Sequence, residues 1–187
     1  MMRKAIITGP TGAVGVSLIQ ELVSNGIAVT AVCRPNSKRM GAIPVDPLVD
    51  IVQCNVQEFM TLADKLPCDY DAFYHFAWDG TYGEDRQDML RQANNVLYTL
   101  HAVHLAKALG CKAFIGAGSQ SEFGHVDGVL RPDLPCDPDN GYGIAKLTAG
   151  KMSRLECGKL GLRHEWCRIL SLYGPVSYTH LRAHETR

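Results

Sequence analysis

Three observations predict an α/β protein built on a parallel sheet. Short apolar runs of strand type alternate with stretches of helical periodicity along most of the chain. The first run, Ala5-Ile6-Ile7, stops at Thr8-Gly9 and passes straight into a helical pattern. Glycines at positions 9, 12 and 15 punctuate that junction at three-residue spacing. The 187 residues are 46% hydrophobic and 20% charged, which suits one globular domain with a real core and argues against disorder.

The first helix carries Val14, Leu18, Leu22 and Val23 on one face and stops at Asn25-Gly26. Residues 27–33 (IAVTAVC) read as a second buried strand, and 34–39 (RPNSKR) leave the sheet. Residues 50–54 form a third strand ended by Asn55, and 58–66 a short helix closed by Pro67. The fourth strand, 71–76 (DAFYHF), runs into Ala77-Trp78. A long helix is predicted over 85–109, with Met89, Ala93, Val96, Leu97, Leu100 and Val103 inward and Gly110 as its stop. A fifth strand over 112–117, a polar loop with prolines, a helix over 143–158 and a sixth strand over 163–170 follow. Strands alternating with helices through right-handed crossovers give a Rossmann-type, doubly wound parallel sheet.

The balance of 19 basic and 19 acidic residues offers no basic surplus, so no nucleic-acid partner is expected. No apolar segment approaches the ~20 residues of a membrane span, and none is expected. The chain enters a strand within four residues, leaving no room for a signal peptide, and its seven cysteines are scattered without a CxxC pair. Reduced thiols in a cytoplasmic protein are the expectation. Residues 176–187 (VSYTHLRAHETR) continue neither periodicity and resemble a translated sequencing adapter, so the native domain is taken as 1–175. His180, His184 and Glu185 therefore carry no metal reading.

A strand that turns tightly into a helix leaves the first helical N–H groups pointing outward, where they and the helix dipole attract phosphate. Gly9 permits the turn, Gly12 lets a phosphate reach the backbone, and Gly15 lets helix and strand pack closely. A dinucleotide pyrophosphate site follows. Tyr142 and Lys146 stand four apart at a helix start, on one face about one turn apart. A nearby ammonium favours a phenolate, which makes tyrosine an acid or base near neutral pH. The alternatives are a surface tyrosine and a solvated lysine. Ser119 ends the fifth strand, where parallel strands place ligands, and can reach the same reacting oxygen or be an ordinary loop serine.

With these motifs in place, the chain resembles an extended short-chain dehydrogenase/reductase of the NAD(P)-dependent epimerase/dehydratase kind that acts on nucleotide sugars. The resemblance rests on TGPTGAVG at 8–15, FAW at 76–78, NNV at 94–96, GSQSEFG at 118–124, YGIAK at 142–146 and RILSLYGP at 168–175. It implies Tyr142 as acid/base, Lys146 binding the nicotinamide ribose and depressing the Tyr142 pKa, and Ser119 steadying the reacting oxygen. Asn95 would support the catalytic geometry. Gly9, Thr11, Gly12, Ala13, Val14 and Gly15 would form the cofactor turn, and Asn55-Val56 would contact adenine, with Asn in place of the usual Asp. Phe76, Ala77 and Trp78 would line the nicotinamide-ribose side, though family members often carry a small residue where Trp78 stands.

An acidic residue at the end of the second strand would select NAD; Cys33-Arg34 stands there instead, with Ser37, Lys38 and Arg39 beyond. A guanidinium suits a 2′-phosphate, so NADP is favoured over NAD. Dehydratases of this kind follow the serine position with acidic residues, whereas Ser119 precedes Gln120 and Ser121 before Glu122. That favours an epimerase or 4-ketoreductase transferring hydride at a sugar carbon. The C-terminal substrate domain that the family builds after the sixth strand is taken as missing, and a homodimer is expected of the full-length protein. Two other readings stay open: a non-catalytic NADP-binding module, and an NADPH-dependent reductase of small carbonyl compounds.

Overall fold

The computed structural model describes residues 2–172. The 176–187 tail and the end of the RILSLYGP segment lie outside them. Six strands, β1 (Lys4–Thr8), β2 (Ala28–Cys33), β3 (Val49–Gln53), β4 (Ala72–His75), β5 (Ala113–Ser119) and β6 (Arg163–Ile169), form one sheet in the order β3-β2-β1-β4-β5-β6. Every pairing is parallel. Three helices complete the fold: α1 (Ala13–Ser24), α2 (Met89–Ala108) and α3 (Gly141–Leu160).

The strand alternation assigns each side chain its layer. Ala5 and Ile7 face one side with Val29, Ala31 and Cys33, where Ile19 and Leu22 of α1 cover them. Ile6, Val32, Phe73 and Phe114 face the other side, under Ala102, Val103, Leu105 and Ala106 of α2 and Cys157 of α3. Thr8 is level with Val32 on one side and His75 on the other, so the first strands end together. The order reverses at β1 and β4, which opens a crevice at the strands' carboxyl ends.

The structure corrects several predicted elements. The helix expected over 58–66 is a 3-10 turn, Val56–Leu62, that buries Phe59 and Leu62. On α1 the buried residues are Gly15, Val16, Ile19 and Leu22, with Leu18 and Val23 at the margin. The helix expected from 85 starts at Met89, where the Asp88 carboxylate accepts the Arg91 N–H at 3.0 Å. Its buried residues are Gln92, Asn95, Thr99, Ala102, Val103, Leu105 and Ala106; Met89, Ala93 and Leu97, read as core, are exposed. The first half of α2 packs on polar loop backbone rather than on the sheet, so its inner face is polar. All seven cysteines are free thiols, and among the described residues no helix is long and apolar enough to cross a membrane.

Candidate active site

The crevice holds a cavity of about 420 Å³. Gly9, Gly12, Ala13, Val14 and Gly15 line one wall, and Phe76, Trp78, Ser119, Tyr142 and Lys146 line the other. These ten predicted site residues converge from four segments of the chain. Thr11, Arg34, Asn55, Val56, Ala77 and Asn95 do not line it. Arg34 and Asn55 are exposed just after β2 and β3, on the far side of β1, while Val56 and Ala77 pack against the core.

The three glycines have different duties. Gly9 sits at φ +71°, and a Cβ there would lie 2.7 Å from Ala77 N. At Gly15 a Cβ would lie 2.5 Å from the Gly9 carbonyl oxygen. Both are demanded by the protein's own packing. At Gly12 a Cβ would meet only the Gly9 oxygen, at an ordinary 3.6 Å. Gly12 is the N-cap of α1 and has no side-chain hydrogen bond, so the first N–H groups of α1 have no side-chain cap at this wall.

On the opposite wall a hydrogen-bonded frame fixes each group. Ser119 donates its N–H to Glu122 Oε1 at 2.8 Å, and its hydroxyl accepts the Ser121 N–H at 3.2 Å. Glu122 is buried and also accepts from Trp166 Nε1 and Arg168 Nε, each at 2.9 Å. Lys146 Nζ donates to the Ala117 carbonyl at 2.7 Å and lies 3.7 Å from the Trp78 ring centroid. The Trp78 indole N–H donates in turn to Gln92 Oε1 at 2.8 Å. Asn95 grips the backbone of Asp79, accepting its N–H at 2.9 Å and donating to its carbonyl at 2.8 Å. Asn95 thus holds the loop that carries Phe76–Trp78 and does not itself face the cavity.

A buried chain ties this loop to the glycine turn. The Thr99 hydroxyl donates to the Asn95 carbonyl, so it accepts from His75 Nε2 at 3.3 Å. His75 Nδ1 is then the bare nitrogen and accepts from the Thr8 hydroxyl at 2.9 Å, while Thr8 accepts the Ala77 N–H. Burial, helped by Lys146, pushes the His75 imidazole down to about 3, so it stays neutral.

Electrostatics differ from expectation. Burial pushes the Tyr142 phenol above its ordinary value; the Ser119 hydroxyl and then Arg86 pull it back, and Glu122 and Tyr82 oppose them. Lys146 is not among the groups that shift it most. Its Nζ is 5.7 Å from the Tyr142 ring centroid, and burial brings the ammonium itself down to about 7 against the pull of Glu122. Gln92, Glu122, Arg86 and Trp166 were not singled out for this site, because nothing local in the sequence marks their distant partners.

The model of the NAD dependent epimerase/dehydratase family matches residues 5–186. The chain belongs to this family. Among curated members, it is 30% identical over 145 residues to a dTDP-6-deoxy-L-talose 4-dehydrogenase (NAD(+)) of Aggregatibacter actinomycetemcomitans, covering 75% of this chain and 50% of that one. It is 26% identical over 168 residues to UDP-glucose 4-epimerase 2 of Oryza sativa subsp. japonica, covering 82% and 40%. The chain therefore spans about half the length of the curated family members it matches. A crystal structure of UDP-glucuronic acid 4-epimerase from Bacillus cereus in complex with NAD shares the fold, with a TM-score of 0.78 at 21% identity over 93% of this chain and 59% of that chain.

Proposed function

We propose that the chain is the cofactor-binding half of a nucleotide-sugar epimerase or 4-ketoreductase, with Tyr142 exchanging the proton at the reacting sugar oxygen. One observation carries this reading: a single cavity is lined both by the uncapped start of α1 and by Ser119, Tyr142 and Lys146. A nicotinamide dinucleotide fits these residues, since Gly12 is bare for no internal packing reason and the N–H groups beside it suit a pyrophosphate. When bound, it supplies the hydride acceptor and donor. Gly9, Thr11, Gly12, Ala13, Val14 and Gly15 hold its phosphates, Asn55 and Val56 its adenine, and Phe76, Ala77 and Trp78 bound the nicotinamide end.

The Ser119 hydroxyl spends one lone pair on the Ser121 N–H, and its O–H, which serves the Tyr142 oxygen here, is the group that would donate to a sugar oxygen. Tyr142 gives or takes the proton at that oxygen. Glu122, the first carboxylate after Ser119, is saturated by three donors and buried, which supports an epimerase or ketoreductase over an elimination enzyme. The relatives' names, one dTDP-sugar dehydrogenase and one UDP-glucose epimerase, support a nucleotide sugar as substrate. NADP is our choice over NAD because exposed Arg34, with no acidic residue, follows β2. Exposed Leu90 and Leu97 of α2 with Met152 and Leu155 of α3 support a homodimer, and free thiols support the cytoplasm.

The test titrates NADPH and NADH into the chain by nicotinamide fluorescence, then presents CDP-, dTDP- and UDP-hexoses and follows 340 nm absorbance and the C4 epimer. NADPH should bind the chain more tightly and Arg34→Asp should reverse the order, while in the full-length protein, since this half alone is expected to turn over nothing, Tyr142→Phe should abolish hydride exchange. A chain that binds neither dinucleotide sinks the proposal.

A further inference from the structure

Lys146 carries its ammonium on a flexible four-carbon stem, so the head stays in one place only where its surroundings hold it. The residue is 4% exposed. Glu122, the carboxylate that pulls on it, spends both oxygens on Ser119, Trp166 and Arg168. What holds the ammonium is uncharged: the Ala117 carbonyl at 2.7 Å and the face of Trp78, whose ring centroid is 3.7 Å away. Tyr142 and Trp166 present their ring centroids only at 5.7 and 6.0 Å.

Trp78 is itself held from α2. Gln92 Oε1 accepts its indole N–H at 2.8 Å, and Asn95 takes both backbone groups of the next residue, Asp79. The Trp78 and Tyr142 rings lie 6.0 Å apart at 79°, an edge-to-face contact. One indole therefore meets both members of the Tyr142/Lys146 pair.

We propose that Trp78 is the positioning residue for Lys146: its indole, anchored by Gln92, seats the ammonium against the Ala117 carbonyl, beside Tyr142 and at the cavity wall. The inference rests on the reading of Tyr142 and Lys146 as the acid/base and its ribose-binding partner. An aromatic face attracts a cation without adding a counter-charge. A carboxylate in the same place would also hold the lysine, but it would cancel the positive charge toward the phenol. Of the three ammonium N–H groups the Ala117 carbonyl takes one and the indole face another, which leaves the third for a ribose hydroxyl. The polar inner face of α2 gains a purpose, since Gln92 and Asn95 act on the site through Trp78 without lining the cavity.

The experiment locates the Lys146 ε-methylene by nuclear magnetic resonance of the whole chain, with lysine isotopically labelled at Cε. Protons above an aromatic face are shielded by its ring current, a signature that ordinary packing does not give. The Lys146 signal is assigned by its loss in Lys146→Arg, and far-UV circular dichroism checks the fold of each variant. In the parent the signal should lie upfield of the other lysines. Trp78→Leu should lose most of that displacement, whereas Trp78→Phe, which keeps an aromatic face, should retain part of it. Gln92→Leu, which releases the indole, should also lose most of it, so either leucine variant serves if the other does not fold. NADPH affinity, read by nicotinamide fluorescence, should fall about tenfold in Gln92→Leu, the worth of one charge-assisted hydrogen bond. A Lys146 signal at the ordinary lysine position in the parent, or one unmoved in Trp78→Leu, overturns the assignment. Parental NADPH affinity in a Gln92→Leu chain whose Lys146 signal has moved overturns it as well. If the parent bound no dinucleotide, the ribose-binding reading would fall while the resonance result for Trp78 stood.

Discussion

Gln92 holds Trp78 over Lys146. Its side-chain oxygen accepts the indole N–H at 2.8 Å, while its amide donates to the Gly80 and Asp85 carbonyls at 2.7 and 2.9 Å. Gln92 is 1% exposed, so all three partners depend on it. Gln92→Leu keeps the volume and strands one donor and two acceptors, each worth about 1–3 kcal/mol when buried. The variant should lose at least about 2 kcal/mol in urea unfolding, partial exposure of the partners trimming the sum. Its Trp78 emission should shift to the red as the indole leaves its seat. A variant with parental stability and emission would show that the indole is held by packing alone.

His75 makes the fold sensitive to mild acid. Its folded value is depressed to about 3 from an ordinary 6.5, so the unfolded chain binds the proton first. The sign follows from that difference: the contribution is complete above pH 6.5 and is lost as pH falls from there toward 3. The slope approaches about 1.4 kcal/mol per pH unit once the unfolded imidazole is mostly protonated. His164, also held below its ordinary value by burial, acts in the same direction, so the informative comparison is with His75→Gln. Urea unfolding at pH 7, 6 and 5 should give the parent the steeper loss. Equal slopes in parent and variant would remove His75 as the cause.

The sheet and the glycine turn were legible because their signals are local. Ala5-Ile6-Ile7 carries its burial in composition, and Gly9 and Gly15 carry theirs in spacing. Ser119, Tyr142 and Lys146 were likewise found from strand ends and a helical spacing, and the structure brings them to one cavity. The inner face of α2 was not legible. Gln92, Asn95 and Thr99 look like solvent-facing residues until their partners appear, and those are loop carbonyls and a histidine on β4. Apolar periodicity points to the wrong face when the buried surface is polar backbone. The surroundings of Tyr142 were hidden for a related reason: the burial of Lys146 and the approach of Arg86 to 4.4 Å from the Tyr142 ring centroid are not visible in a four-residue spacing.

Gly12 and Gly15 should separate binding from folding. Gly15→Ala places a Cβ 2.5 Å from the Gly9 oxygen and 2.8 Å from Pro10 Cα, all of it backbone. Relief requires the turn to move, at about 1–3 kcal/mol. Gly12→Ala meets nothing closer than 3.6 Å and sits at φ −77°, so stability should change by about 0.5 kcal/mol or less. NADPH affinity should nonetheless fall by about tenfold or more, since the methyl occupies the approach to the backbone. Urea midpoints and a fluorescence titration report the two effects independently. If Gly12→Ala binds NADPH like the parent, the phosphates do not pass over Gly12.

Glu122 should be the costliest polar side chain to alter near the site. Its Oε1 accepts from Ser119 N and Trp166 Nε1, and its Oε2 from Arg168 Nε. It is 1% exposed, whereas the Arg168 side chain is 31% exposed and can recover part of its hydration. Glu122→Ala leaves two neutral donors and one cation without an acceptor, so the loss should sit at the low end of the range for a broken buried pair, about 3 kcal/mol. Glu122→Gln preserves shape and the Oε1 acceptor, but its amide NH₂ then faces Arg168 Nε–H, donor against donor. About 1.5–3 kcal/mol should go with that one charged bond. Glu122→Gln combined with Arg168→Met removes the clash and should recover part of the loss. Urea unfolding followed by Trp166 emission measures all three, and a Glu122→Gln chain as stable as the parent would mean that the Arg168 bond contributes nothing to holding the Ser119 end of β5.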